Sequence, residues 1–307
     1  TVCYASSAED DPGLHQEHPG ILPFFIGDGS ARTIFFKTLE AGVMVMTMPD
    51  LETFHIKRSV HPVHYVYVQH SMVSTHMIYR PAAFYHFDTV FCTGPHHVRE
   101  LREAEALYDL KPRKLLEHGY GRLDRILSAA PEAHTPGRRI LLAPSWGDSG
   151  ILETIGAPLV SVLLAAGLDV TVRPHPQTRR FHPKTLDALL AEFGENPAFH
   201  FEENVASQAS LHQSDLMISD WSGAALEYAF GKERPVLFID VPRKVRNPAY
   251  TDFEAEPLEV GIRHEIGRVV SPDALASVPL TAPSRRMVFH SPLNVSTLEL
   301  ERASTNW

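Results

Sequence analysis

The sequence predicts an α/β protein made of two Rossmann-like halves that face each other across a cleft. Short runs of β-branched and aromatic residues alternate with helix-like segments, which is the pattern of parallel sheets built from βαβ units. A stretch rich in Ala, Pro and Gly, SAAPEAHTPG, separates two such series near the middle of the chain. The 307 residues and the hydrophobic content of 44% suit two domains, each with its own core.

The first series predicts an N-terminal Rossmann-like domain over residues 1–128. Its strands are expected in runs that end at turn residues, namely Val43–Pro49, His64–His70 and Asp88–Gly94. Apolar residues near helical spacing predict a helix over His97–Leu110.

The second series predicts a C-terminal Rossmann-like domain over 138–270, after a linker over 129–137 and before a tail over 271–307. Its strands are expected in RRILLAPSW, LDVTVRP, AFHFEE, DLMIS and PVLFID. Its helices are expected over Ile151–Ala166, Pro183–Phe193 and Ala224–Phe230. The pattern weakens after about Glu254. This order of elements is typical of a doubly wound domain.

The composition narrows the classes of partner. The formal net charge is −9, and nonspecific nucleic-acid binding depends on clustered positive charge, so no nucleic-acid partner is expected. An anionic small molecule can still bind where positive groups gather locally. No run of eighteen apolar residues occurs, which predicts no transmembrane helix.

The N-terminal sequence and the cysteines indicate a cytoplasmic location. The first residues, TVCYASSAEDDPG, lack the basic and apolar regions of a signal peptide. Cys3 and Cys92 form no CxxC and occupy strand-like, apolar settings. We expect both to be buried, reduced thiols of a cytosolic protein.

Candidate site residues lie where predicted strands end, because ligands of open α/β sheets sit beyond the carboxyl ends of the strands. The first place is LLAPSWGDSG, Leu141–Gly150, where an apolar strand leads into a polar turn and a helix. Glycines let the backbone approach a ligand, and free helix N–H groups attract an anion. Ser145 is the donor-binding candidate of this turn, and an ordinary βα turn is the alternative.

The second place is LDVTVRPHPQT, where two prolines flank a histidine directly after a strand. Pro174 and Pro176 fix their own φ and push the preceding residue out of the helical region. Arg173 and His175 are therefore expected to be held in extended geometry. Arg173 can hold two phosphate oxygens or form a buried ion pair, and His175 can donate to a phosphate and become protonated near neutral pH. A rigid loop with a packed histidine is the alternative.

The third place is DLMISDWSGAALEYAFG, a strand followed by a polar turn and a helix. The helix N-terminus suits a phosphate, since free N–H groups and the helix dipole point there. Its candidate residues are Ser219, Asp220, Ser222 and Gly223. Glu227, farther along the helix, is a candidate ligand of a ribose or a partner for a neighbouring arginine. Helix capping alone is the alternative for the turn.

The first half contributes His70, at the end of the strand in VYVQH, and Arg122, in the turn HGYGRLD. A neutral imidazole at a strand end can take a proton from an acceptor hydroxyl. A guanidinium at the cleft can reach a phosphate. The alternatives are a structural histidine and a salt bridge from Arg122 to Asp124 or another acidic neighbour.

Taken together, these motifs resemble the CDP-glycerol glycerophosphotransferase family of wall teichoic acid and capsule synthesis. The resemblance covers about Val66 to Asp240 and rests on the order and spacing of HYVYVQHS, FDTVFCTGPHH, HGYGRLDRIL, ILLAPSW, RPHP, SDLMISDWSGAALEYAF and RPVLFID. The combination of RPHP, SDWSG and the arginine turn carries most of its specificity.

The resemblance implies a GT-B fold with the active site between two Rossmann-like domains. The domain over 1–128 would lie on the acceptor side, and the domain over 138–270 would bind the donor nucleotide. It implies transfer of phosphoglycerol, or a related phosphoalditol, from a CDP-linked donor to a hydroxyl of a cell-surface glycan or lipid-linked acceptor, with release of CMP. It implies no firm cofactor, although a divalent cation is compatible with the reaction. Peripheral association with the inner face of the cytoplasmic membrane is compatible with such an acceptor.

The resemblance also implies roles for single residues. His70 matches the histidine thought to be the family's general base, Arg122 matches the arginine of its Gly-x-Pro-Arg-x-Asp turn, and His175 matches the histidine of RPHP. The residues that match the donor-phosphate loop are Ser219, Asp220, Ser222 and Gly223.

Two positions depart from the family pattern. The family usually has His-Gly with a lysine a few residues on, whereas here Ser71 follows the histidine and no lysine is near. Gly121 stands where the arginine turn commonly has proline. Both changes lie on the acceptor side or at the cleft, so they bear on the acceptor and on His70 more than on the donor.

Two other functions compete with this one. A glycosyltransferase that uses a nucleotide sugar would have the same fold, since fold does not fix function. A metal-binding or regulatory module is the second, although zinc sites use compact ligand sets and these histidines have no recurring spacing. The histidines concerned are His61, His64, His70, His76, His86, His96 and His97.

Overall fold

The computed structural model describes residues 2–6, 18–26, 29–129, 138–204 and 207–277. The predicted linker, apart from its first residue, and most of the predicted tail lie outside these ranges. Within them the chain forms three parallel sheets.

The first half is organised around a four-stranded parallel sheet in the order β3-β4-β5-β6. A separate parallel pair is formed by β1 and β2. The elements are β1 Val2–Ser6, β2 Ile21–Phe25, α1 Gly29–Thr38, β3 Val43–Met46, β4 His64–Val68, β5 Thr89–Cys92, α2 Pro95–Leu107, β6 Lys114–Glu117 and α3 Gly121–Ser128. Aromatic side chains fill the core of this half, among them Tyr65, Tyr67, Phe84 and Phe87.

The second half is a six-stranded parallel sheet in the order β9-β8-β7-β10-β11-β12. Counted within this half, that is the order 3-2-1-4-5-6 of the doubly wound nucleotide-binding fold. The elements are β7 Arg139–Leu142, α4 Ile151–Ala165, β8 Asp169–Val172, α5 Pro176–Phe181, α6 Pro183–Phe193, β9 Phe199–Phe201, α7 Ala209–Gln213, β10 Leu216–Ser219, α8 Gly223–Lys232, β11 Val236–Ile239, α9 Leu258–Gly261, α10 Arg263–Ile266 and β12 Gly267–Val270.

The strand sequences explain the layered packing. The central strands β7, β10 and β11 read RILL, LMIS and VLFI, and nearly all of these residues are buried. Strands of a parallel sheet covered on both faces are expected to be continuously apolar in this way. The amphipathic helices pack against them and complete the core.

The predicted strands and helices are confirmed, with ends that differ by up to four residues, the largest difference being at Leu142, where β7 ends. The pattern weakens after Glu254, yet the short edge strand β12 pairs with β11 there. One expectation needs correction. Cys3 was expected to be buried, but it is exposed, because β1 pairs with β2 away from the larger sheets; Cys92 is buried as expected.

Buried carboxylates from both halves hold the segment that follows β4. Glu259, from the second half, accepts hydrogen bonds from the backbone N–H and the hydroxyl of Ser74, at 2.7 and 2.6 Å. Glu100, from the first half, accepts the corresponding pair from Thr75, both at 2.7 Å. Because an unpaired buried carboxylate is costly, these bonds fix the chain just after His70 to both halves.

The helices α3 and α8 pack across the boundary between the halves, and a glycine makes this approach possible. A Cβ atom on Gly231 would lie 2.5 Å from Ile126 Cγ2 and 3.2 Å from Leu123 Cδ1. Side chains in a well-packed interface cannot absorb such an overlap without moving.

We expect Gly231→Ala to lower the free energy of unfolding relative to Gly121→Ala, a matched change in α3. A Cβ on Gly121 meets nothing within 4 Å, so that variant gains helix propensity without a clash. The two changes in free energy should differ by about 1–3 kcal/mol, the usual cost of overpacking. Urea unfolding measures both, and equal values would contradict the packing described for Gly231.

Candidate active site

A cleft of about 580 Å³ lies between the two halves, at the carboxyl ends of strands from both sheets. It includes the point where β7 and β10 are neighbours, which is where the strand order of the second sheet reverses. Ligands of doubly wound sheets bind at such a reversal. Eight of the ten predicted site residues line this cleft: His70, Arg122, Ser145, Arg173, His175, Ser222, Gly223 and Glu227.

The structure corrects the expectation for the other two residues. Ser219 is fully buried, and its hydroxyl donates to the Ala143 carbonyl at 2.8 Å. Asp220 is also buried and accepts a hydrogen bond from Ser145 N–H at 2.6 Å. Both side chains point into the protein because they join the loops after β7 and β10 to each other. They shape the loops after β7 and β10 without lining the cleft.

His175 is held as a neutral hydrogen-bond donor. It precedes α5, and its Nδ1 accepts the backbone N–H of Gln177 at 3.1 Å. A neutral ring with Nδ1 occupied in this way carries its proton on Nε2. Burial lowers the pKa of His175 to about 4, with added repulsion from Lys244 and His70. The expectation that His175 can become protonated near neutral pH is therefore wrong.

Arg173 is fixed beneath the cleft. Its side chain is buried, and its Nη2 donates to the Ser207 carbonyl at 3.1 Å. Burial lowers the pKa of this guanidinium, and the charge of Glu202 opposes the shift. The residue remains a cation at neutral pH, so it gives the floor of the cleft a positive charge that is already anchored to the protein.

A carboxylate on α8 joins the two halves at the cleft. Glu227 Oε2 pairs with Arg122 Nε at 2.8 Å. The hydroxyl of Tyr120 lies 2.7 Å from Glu227 Oε1 and 2.9 Å from the carbonyl oxygen of His70, both of which are acceptors. Of the alternatives open for Arg122 and Glu227, the structure therefore shows an ion pair between them, and it ties that pair to the backbone of His70.

His70 presents an imidazole with neighbours at both nitrogens. Its Nδ1 lies 2.9 Å from the Tyr67 hydroxyl, and its Nε2 lies 3.4 Å from the Tyr79 hydroxyl. Burial lowers the pKa of His70, against a backbone hydrogen bond with Thr47 that raises it. The ring is therefore neutral at pH 7. When Nδ1–H donates to Tyr67, the lone pair on Nε2 is left to accept a proton.

The loop before α8 meets the first half closely. Ser222 caps the helix by accepting the backbone N–H of Ala224 at 3.3 Å. A Cβ on Gly223 would overlap the hydroxyl of Ser71, which would then have to turn away. Without a side chain, Gly223 lets this loop lie directly against Ser71.

Sequence reasoning missed several residues of the cleft, chiefly in the segment after β11. Lys244 and Arg246 lie over the ring of Trp146, with Lys244 Nζ at 4.4 Å and the Arg246 guanidinium carbon at 5.6 Å from its centroid. Asp50 and Arg80 line the cleft from the first half. A run of basic residues after a strand, PRKVR, was the available signal. It lies outside the motifs of the family resemblance.

His96 and His97 of the first half have structural roles. His96 Nε2 and His97 Nε2 bond to the carbonyls of Met72 and Val73, at 2.9 and 2.8 Å. Among the residues that the structure describes, no group of three or more His, Cys, Asp or Glu side chains is placed to hold a metal ion. Nor is any helix in the described ranges long and apolar enough to cross a membrane.

The fold of this chain is similar to that of known proteins. No family model matches the sequence, and no curated protein does. A histidine-to-alanine variant of the wall teichoic acid polymerase TagF matches with a TM-score of 0.54 and 14% identity, over 90% of this chain and 70% of that one. The chain has a GT-B fold. The predicted resemblance to a teichoic acid enzyme is thus confirmed at the level of the fold.

Other solved structures are more distant. A histidine-to-asparagine variant of TagF matches with a TM-score of 0.49 and 15% identity, over 77% of this chain. The chain spans 62% of that TagF chain. The UDP-GlcNAc 2-epimerase of Methanocaldococcus jannaschii, in complex with UDP-GlcNAc and UDP, matches with a TM-score of 0.48 and 12% identity, over 85% of this chain and 77% of that one.

The hydrogen bonds of Tyr120 predict a cost for removing its hydroxyl. We expect Tyr120→Phe to lower the free energy of unfolding by about 1–3 kcal/mol, because it leaves the buried carboxylate of Glu227 with one donor fewer. Tyr108→Phe is the matched control, because no hydrogen bond is described for that hydroxyl, and it should change stability by less than about 0.5 kcal/mol. Equal effects of the two variants in urea unfolding would contradict the role given to Tyr120.

Proposed function

We propose that this protein transfers phosphoglycerol, or a related phosphoalditol, from a CDP-linked donor to a hydroxyl of a cell-surface glycan or lipid-linked acceptor, and releases CMP. The observation that carries the proposal is the meeting of His70 and His175 in one cleft from opposite halves. His70 is a neutral base that can take the proton of the acceptor hydroxyl, and His175 is a fixed hydrogen-bond donor that can hold a phosphate. Transfer between two bound substrates can use both. The fold shared with the teichoic acid polymerase TagF supports the same reaction class.

In this proposal the second half binds the donor. Its nucleotide lies at the strand reversal between β7 and β10, beside Ser145. Its phosphates face Ser222, Gly223 and the N-terminus of α8, where backbone N–H groups and the helix dipole favour an anion. His175 donates from Nε2 to a phosphate oxygen, and Arg173 adds positive charge from beneath. Preorganised donors of this kind stabilise the charge that develops during transfer.

The first half presents the acceptor to His70. The acceptor oxygen attacks the phosphorus that carries the alditol, and the bond from that phosphorus to the CMP oxygen breaks. The electron pair of that bond leaves with CMP, and the acceptor proton goes to Nε2 of His70. Arg122 contributes through its pair with Glu227, which keeps the backbone of His70 in place.

A donor screen tests this function directly. The purified protein is incubated with CDP-glycerol, CDP-ribitol, UDP-GlcNAc and GDP-mannose, and released nucleotides are measured by mass spectrometry. We expect CMP from a CDP-alditol. Release of UDP or GDP from a sugar nucleotide would instead support the glycosyltransferase alternative, which the GT-B fold equally accommodates.

The two histidines are expected to differ in their pH behaviour. The pKa of His70 is lowered, so turnover of the wild type should rise with pH around a value below 6.5, as the base loses its proton. In His70→Ala this rise, the acid limb of the pH profile, should be absent, and the rate should fall by about 10²–10⁴-fold. His175→Ala should lose about 10²–10³-fold and keep the limb, because His175 stays neutral. The measurement is initial CMP release from pH 5 to 8. Near-wild-type turnover in both variants would contradict the mechanism.

A further inference from the structure

The segment after β11 brings a lysine into the cleft. The chain leaves β11 at Ile239, and Lys244 then lines the cleft. Two residues later the segment is anchored to the first half, since the backbone N–H groups of Arg246 and Asn247 both donate to the Met77 carbonyl, at 3.0 and 3.3 Å. Lys244 is therefore held at the seam between the halves, opposite the RPHP loop.

Lys244 is a cation without a carboxylate. Its side chain is half-buried, and its ammonium lies over the ring of Trp146, which itself stacks on Phe181 at 5.5 Å. No carboxylate oxygen of the described residues lies within 4.0 Å of Lys244 Nζ. A ring face stabilises an ammonium by about 0.5–2 kcal/mol, which does not replace the water that the group has lost. An anion in the cleft would complete its environment.

The other basic residues of the cleft are either bonded within the protein or exposed. Arg122 pairs with Glu227, and Arg173 donates to the Ser207 carbonyl. Arg80 and Arg246 are exposed, and the Arg246 guanidinium lies farther from Trp146 than the ammonium of Lys244 does. In a chain with a net charge of −9, Lys244 is thus the half-buried cation that is best placed for an incoming anion.

Burial and the neighbouring charged groups set the protonation state of Lys244. Burial lowers its pKa to about 8, while attraction by Asp220 and by Glu153 raises it and repulsion by Arg246 lowers it. His175, whose pKa the charge of Lys244 helps to lower, is a further neighbour and is neutral at pH 7. Lys244 is therefore mostly charged at pH 7, and a bound phosphate would raise its pKa further.

We propose that Lys244 is a catalytic residue that binds the diphosphate of the donor and neutralises the charge on the leaving nucleotide. The inference rests on the proposed function and adds to it a residue outside the family's motifs. As the phosphorus–oxygen bond breaks, the electron pair moves onto the departing phosphate, beside the ammonium of Lys244. The acceptor proton still goes to His70, so Lys244 transfers no proton.

The test compares Lys244→Met, Lys244→Arg and Arg243→Met with the wild type. Calorimetry at pH 7 measures the binding of CDP and of cytidine. Lys244→Met should weaken the binding of CDP by about 10- to 100-fold, which is the usual effect of losing a hydrogen bond to a charged group. It should leave the binding of cytidine unchanged. Lys244→Arg should restore most of the CDP affinity. Arg243→Met is the matched control. It removes one positive charge from the neighbouring residue, whose side chain lies outside the cleft, and this variant should bind CDP as the wild type does.

Turnover and the pH dependence of CDP affinity distinguish a catalytic role of Lys244 from a purely structural one. Lys244→Met should reduce kcat for CMP release by at least about 10-fold, with its thermal unfolding unchanged. In the wild type, CDP affinity should fall as the pH rises above about 8, as Lys244 loses its proton. In Lys244→Arg that loss should be absent, since arginine stays charged.

The outcomes separate the two proposals. A folded Lys244→Met variant that binds CDP like the wild type would overturn the role of Lys244. If the wild type prefers UDP or GDP, the proposed donor is wrong, and the same comparison with that diphosphate and its nucleoside then decides the role of Lys244. Failure of the wild type to bind any of the three diphosphates would overturn both.

Discussion

The carboxylate of Glu227 is the contact on which the rest of the cleft depends. It lies on α8 of the second half, yet its partners belong to the first half: Tyr120 directly precedes α3, and Arg122 lies in the first turn of α3. The Tyr120 hydroxyl also reaches the backbone carbonyl of His70. A buried carboxylate needs such partners, so the pairing fixes the distance between the two halves and the position of the predicted base together.

Two further constraints act on the same boundary. Glu259 holds Ser74 just after His70, and glycines at 223 and 231 let α8 approach the first half without overlap. The interface is therefore built from hydrogen-bonded carboxylates and from close backbone approach. Removing either kind of contact would change the geometry of the cleft as well as the stability of the protein.

Charge is distributed unevenly in this molecule. The chain as a whole is acidic, but the cleft collects five basic side chains and only two acidic ones, Asp50 and Glu227. One of the five is already neutralised by Glu227. Local positive potential of this kind raises the concentration of anionic ligands at a site, whatever the net charge of the protein. The negative charge of the proposed donor, which carries two phosphates, would be complementary to this positive cleft.

Much of the fold and the cleft could be predicted from local patterns. Alternation of apolar runs with helical spacing is visible in the sequence, and the two prolines of RPHP restrict Arg173 and His175 without help from other elements. Burial could not be predicted in the same way. Ser219 belongs to the recognised loop, yet its hydroxyl bonds to Ala143, 76 residues earlier in the chain. A polar residue in a turn looks the same in sequence whether it faces a ligand or a neighbouring loop.

The sequence by itself determined the α/β class, the two halves and the loops in which the site lies, because these follow from local spacing and from the rule that ligands bind at strand ends. Only the tertiary structure decided which side chains of those loops reach the cleft, that Arg122 pairs with Glu227, and that Lys244 stands over Trp146. Partners about a hundred residues apart in the chain meet through packing, and no local pattern records that meeting.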